Sequence, residues 1–112
     1  MNIAERTDDG ITVFAISGRL DANTSGHLEA SFLQSVEAGA SRFVFNLGGL
    51  EYVSSAGLRS LLLAAKKVKA IQGRLALAHL SEQVREVFDM SGFSSIFKLC
   101  ATEDEALQAT RE

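Results

Sequence analysis

The chain of 112 residues has no proline, one cysteine and two histidines. With Cys100 as the sole thiol no internal disulfide can form, so the fold must rest on its core. Beside Ile96, Phe97 and Leu99, that cysteine reads as buried filler in a reducing compartment. His27 and His79 stand far apart and share no ligand spacing with Cys100, so no metal site is expected. No apolar run approaches the ~20 residues a membrane span requires, and Met1 to Asp9 has no secretory apolar stretch. A cytoplasmic location is the expectation.

An excess of positive charge is also missing. The formal net charge is -3, and the basic footprint of a nucleic-acid binder is absent. The one basic cluster, Lys66, Lys67 and Lys69, falls late in a helical pattern, where cations suit the negative end of the dipole. Catalytic signatures are lacking too. Ser55 is not in a Gly-x-Ser-x-Gly elbow, and Gly48-Gly49 lacks phosphate-loop spacing and reads as a turn. Neither enzymatic activity nor a cofactor is expected.

What is present is a core. Hydrophobic residues make up 46% of the chain and charged residues 22%, as in one soluble domain, read as residues 1–112. Without proline, glycine punctuates. Gly39, Gly73 and Gly92 each follow a helical pattern and precede a strand pattern, which suits left-handed helix ends. Strands are expected at Asn2–Arg6 and Ile11–Ile16, joined by Asp8-Asp9-Gly10, then at Arg42–Leu47, Arg74–Ala78 and Ile96–Leu99. Helices are expected at about Asn23–Ala38, with Leu28, Phe32 and Val36 inward, and at Ser55–Ile71, with Leu58, Leu61, Leu62, Ala65 and Val68 inward. Ser81 opens a third helix that turns Val84, Val87 and Phe88 to the core, and Thr102-x-x-Glu105 is a capping box for a fourth. The order β-β-α-β-α-β-α-β-α implies an α/β fold: a mixed, mostly parallel sheet of about five strands, about four helices, and right-handed crossovers.

Chemistry concentrates in Leu50-Glu-Tyr-Val-Ser-Ser-Ala-Gly-Leu58. Ser54 and Ser55 fall where a helix begins and presents unpaired N–H groups and a positive dipole end. A serine there is ordinarily a cap. Gly57 is odd in a first turn, since glycine costs ~1 kcal/mol against alanine in a helix. It suggests a close approach to the backbone. Tyr52 and Val53 read as apolar contacts for a partner.

This segment resembles the signature of the STAS-domain anti-sigma factor antagonists, an Asp-Ser-Ser/Thr-Gly-Leu motif between the third strand and second helix. Gly18-Arg-Leu-Asp21, Asn46-Leu47 and Phe88-Asp-Met-Ser-Gly92 resemble other stretches of the family, in order and at matching spacing. The resemblance implies a partner switch. The unphosphorylated protein binds an anti-sigma factor or related serine kinase, phosphorylation of one serine abolishes binding, and a serine phosphatase restores it. It places the phosphoacceptor at Ser55, with Ser54 the rival because it stands where the motif has Asp; Ala56 replaces the second Ser/Thr. Asp21, Tyr52, Val53, Ser54, Ala56, Gly57 and Arg59 are the expected partner contacts, and the free protein is expected to be a monomer. An alternative within the same resemblance is a STAS scaffold or transporter accessory that is never phosphorylated.

Overall fold

Alternation along the strands sends successive side chains to opposite faces, and each face acquires its own helices. The computed structural model describes residues 1–112. Its elements are β1 (Asn2–Asp8), β2 (Ile11–Leu20), α1 (Ser25–Glu37), β3 (Arg42–Val53), α2 (Ser55–Ala70), β4 (Arg74–Ala78), α3 (Glu82–Ser91), a 3₁₀ turn at Phe93–Ser95, β5 (Lys98–Cys100) and α4 (Glu103–Arg111). The five strands form one sheet in the order β1-β2-β3-β4-β5. Only the β1–β2 hairpin is antiparallel. Its two-residue turn, Asp9-Gly10, has both φ angles positive (52° and 80°), the backbone twist that suits a tight hairpin. The element order and the mixed sheet match the expectation.

One face of the sheet carries an aromatic core. Phe14 stacks on Phe45 with ring centroids 5.4 Å apart, and Phe32 of α1 lies 4.8 Å from Phe43. Leu58, Leu61 and Val68 of α2 and Val84 and Phe88 of α3 close this face. The opposite face is smaller: Ile11, Val13, Val44, Ala76 and Ala78 pack under Ala106 and Leu107 of α4.

Several boundaries differ from the sequence reading, each for a reason of packing. β3 continues past Leu47 to Val53, and β2 past Ile16 to Leu20. Gly48-Gly49 is therefore strand rather than turn. A Cβ on Gly49 would sit 2.7 Å from the Ser17 Cβ, so glycine lets the two strands stay paired through their irregularities at Ala15/Ser17 and Gly18/Arg19. Gly73 is not a left-handed cap. That conformation belongs to Gln72, φ 60°, and Gly73 is small because a Cβ there would lie 2.1 Å from the Ser41 carbonyl oxygen. On α2, Ala64 is buried where Ala65 and Leu62 are half-buried. Ile96 is 52% exposed and precedes the last strand instead of opening it. Cys100 is only half-buried, and burial pushes its thiol above the ordinary range.

Candidate functional site at the start of the second helix

The long β2–β3 pairing positions this site. Arg19 lies opposite Tyr52 and Leu20 opposite Val53, so the loop leaving β2 and the turn entering α2 emerge side by side. Ser54 N–H donates to the Leu20 carbonyl at 2.9 Å and ties the two exits together. Asp21 follows immediately.

The two serines have different tasks. Ser54 is extended (φ -93°, ψ 176°), and its hydroxyl oxygen accepts from Gly57 N–H at 3.2 Å. It is the N-cap, half-buried. Ser55 is the first helical residue, is exposed, and its hydroxyl has no hydrogen-bond partner in the protein. No acidic residue stands in the first turn of α2. The positive dipole end and the remaining first-turn N–H groups are thus free to meet an anion. Arg59 is exposed four residues further on, a spacing that puts it on the same helix face as Ser55.

Across the junction, the Asp21 carboxylate accepts from Asn23 N–H at 3.0 Å and lies 3.8 Å from Arg19 Nε. The Arg19 guanidinium sits over the Tyr52 ring, 4.2 Å from its centroid. Thr24 holds this loop: its hydroxyl donates to the Arg19 carbonyl at 2.8 Å and accepts from Asp21 N–H at 2.9 Å. These contacts also explain why α1 starts at Ser25 instead of Asn23. Arg19 and Thr24 were not singled out from the sequence. The signal for Thr24 was available, because an Asp and a Thr spaced to close a turn before a helix are turn formers.

The expected contact residues therefore divide. Asp21, Tyr52, Ser54, Ser55, Ala56 and Arg59 all gather here with some surface, and Tyr52 is 42% exposed. Two are turned inward. Val53 is only 4% exposed within the aromatic-side core, so it is not an exposed apolar contact. Gly57 is buried, and the close approach its small size permits is internal: a Cβ would lie 2.4 Å from the Leu20 carbonyl oxygen. The pair fixes the junction instead of facing a partner.

A second polar group lies on the α4 face of the sheet. Glu103 is hydrogen-bonded by Arg6 and, at 3.1 Å, by Asn46 Nδ2. Those bonds, Arg6's first, hold its carboxyl below the ordinary carboxylate range. His79 Nε2 accepts from Glu103 N–H at 3.0 Å, so this histidine satisfies a first-turn donor of α4.

Comparison with known proteins matches the fold. The model of the STAS domain family matches residues 2–106. A protein of Bordetella bronchiseptica that carries the name of an anti-sigma factor antagonist, BtrV, is 42% identical over 101 residues, covering 90% of this chain and 87% of its own. The crystal structure of an anti-sigma factor antagonist from Mycobacterium paratuberculosis superposes with a TM-score of 0.88 at 25% identity, covering 99% of this chain and 94% of its own. The Bacillus cell fate determinant SpoIIAA, solved in its phosphorylated form, gives 0.74 at 25% identity, with 96% and 97% covered. With the family's model covering nearly its whole length, and the two-sided five-stranded sheet in place, the chain belongs to the STAS domain family.

Proposed function

We propose that this chain is an anti-sigma factor antagonist that acts as a phosphorylation-controlled partner switch. The observation that carries the reading is the division of labour between two neighbouring serines. Ser54 caps the helix, and the exposed Ser55 hydroxyl is left without a partner. A kinase can therefore engage Ser55 without breaking the cap. The names of the relatives support the reading, as does the phosphorylated state in which SpoIIAA was solved.

The proposed partner is an anti-sigma factor or related serine kinase, with a serine phosphatase resetting the system. The contact surface is Asp21, Tyr52, Ser54, Ala56 and Arg59 around Ser55. In the forward step Ser55 Oγ takes the γ-phosphoryl group of ATP, its hydroxyl proton passes to a base of the kinase, and ADP leaves. Water cleaves the ester in the reverse step. The phosphate adds roughly -1.5 to -2 charges at pH 7. Inside this chain the charge is tolerated, since first-turn N–H groups and the Arg59 guanidinium can meet it. A partner shaped for a neutral hydroxyl meets repulsion and a desolvation cost instead. Because Arg59 would be drawn to the phosphate, the partner would lose that contact as well.

Intact-mass spectrometry after incubation with the bound kinase and Mg-ATP tests the reading. Wild type and Ser54→Ala are expected to gain one phosphate, and Ser55→Ala none. Ser55→Asp is expected to weaken partner binding by about 30-fold or more, as a misplaced buried charge does. No phosphate on wild type, with partner binding unchanged in Ser55→Asp, would refute it.

A further inference from the structure

We propose that Arg19 is a specificity-determining residue of the Ser55 surface, its guanidinium presented to a carboxylate of the partner. The proposal rests on the partner-switch reading above. It adds to that contact surface a side chain from outside the serine segment.

The backbone aims this arginine. β2 and β3 fall out of step at Gly18/Arg19, and Gly18 is left-handed, with φ 90°. An irregularity of this kind bends a strand and re-aims the side chains beside it. Here it sets Arg19 opposite Tyr52, and the guanidinium comes to rest 4.2 Å from the ring centroid. The Thr24 hydroxyl holds the Arg19 carbonyl at 2.8 Å. A long, flexible side chain thus has a fixed root and an aromatic support, with Tyr52 as its positioning residue.

What the guanidinium lacks is an acceptor. It donates no hydrogen bond within the chain, and its side chain is 62% exposed. The one carboxylate it meets is Asp21, whose Oδ2 lies 3.8 Å from Nε, too far for a hydrogen bond. Asp21 Oδ1 is engaged by Asn23 N–H at 3.0 Å. Stacking occupies the flat face of a guanidinium and leaves its in-plane N–H groups to bind elsewhere. Those donors match the two oxygens of a carboxylate. Ordering an arginine on binding costs entropy, and a side chain already resting on a ring loses less of it. Tyrosine and arginine are also the residue types on which binding energy concentrates at interfaces.

Charge and the logic of the switch say where the acceptor is. Arg59 takes part in no ion pair; those present use Arg6, Arg19, Arg85 and Arg111. Two arginines and the positive end of α2 therefore share this surface with Asp21, in a chain whose net charge is -3. A phosphate on Ser55 is a second possible anion for Arg19. In the switch reading, however, the form that binds carries no phosphate, so the anion that favours binding belongs to the partner.

The test uses the unphosphorylated chain and the kinase bound in the mass-spectrometric assay, mixed without nucleotide and followed by surface plasmon resonance. Arg19→Leu keeps an apolar cover on the Tyr52 ring and removes the donors. It is expected to weaken binding about tenfold or more and to flatten the fall of the association rate with added salt. Arg19→Lys keeps the charge without the planar fork and should lie between the two. Circular dichroism confirms the fold of each variant. In the free wild type, NMR should find the Arg19 side-chain protons shifted upfield by the Tyr52 ring, and Tyr52→Leu should abolish that shift. Unshifted Arg19 protons would overturn the proposal without reference to any partner. So would undiminished binding by Arg19→Leu, or full binding by Arg19→Lys, and either result would leave phosphorylation of Ser55 standing. A kinase that binds through Arg19 but leaves Ser55 unmodified would support the proposal and refute the switch reading instead.

Discussion

Replacing Gly57 with alanine sets two effects against each other at the candidate switch. As a helix residue, alanine gains up to about 1 kcal/mol over glycine. As a contact, it fails. The new Cβ would lie 2.4 Å from the Leu20 carbonyl oxygen, 2.9 Å from its Cγ and 3.0 Å from its carbonyl carbon. Two of these atoms are backbone, held by strand pairing, and cannot swing away. Overpacking of this kind costs about 1–3 kcal/mol. Moving β2 outward also stretches the Ser54 N–H bond to the Leu20 carbonyl, now 2.9 Å, for about 1 kcal/mol more. The net expectation is a loss of about 1–3 kcal/mol, with the thermal midpoint falling about 4–8 °C per kcal/mol. Gly26 supplies the control. It lies in the first turn of α1 with nothing within 4 Å of an added Cβ, so Gly26→Ala should stabilise by a few tenths up to about 1 kcal/mol. Urea unfolding of both variants, followed by circular dichroism, measures the two signs. If Gly57→Ala is as stable as wild type, the Leu20 contact is able to give way and is not what requires glycine.

The cap assignment makes Ser54→Ala cost about 1 kcal/mol, while Ser55→Ala stays within about 0.5 kcal/mol of wild type; equal losses by urea titration would mean that the hydroxyls share the cap. Phe45 stacks on Phe14 and meets Phe32 and Phe43 edge-on, so Phe45→Ala should lose about 3–5 kcal/mol, and a loss below about 2 would show that the site collapses around the gap. Glu103 is held below its ordinary value near 4.5 chiefly by Arg6. Because the folded value is the lower one, its contribution is complete above about pH 4.5 and fades as the pH falls through the lowered value. Unfolding midpoints measured from about pH 6 downward should therefore drop less steeply in Glu103→Gln than in wild type; identical slopes would remove Glu103 from the acid sensitivity.

Much of the fold was legible because its signals are local. Ser81 and Thr102 were readable as caps, and their hydroxyls accept from Val84 N–H and Glu105 N–H, both at 3.2 Å. The partner carboxylate of the box reaches one residue further back than expected, to Ala101 N–H at 3.1 Å. Hydrophobic period gave the alternation of helices and strands, since burial on one face repeats with the geometry of the element itself. The hairpin turn followed from Asp9-Gly10, whose conformation only a few residue types tolerate.

The chain by itself placed a serine pair at the start of α2 and a glycine two residues on. It did not say which serine was occupied or what the glycine was for. Those answers depend on Leu20, which stands more than thirty residues away in sequence and meets the turn only because β2 and β3 pair beyond the apparent strand ends. The same holds for Val53, turned inward by that extended pairing, and for Gly73, whose neighbour Ser41 comes from another loop. Propensity and capping act within a few residues and can be read along the chain. Close approach between distant segments is decided by packing, and packing exists only once the sheet has formed.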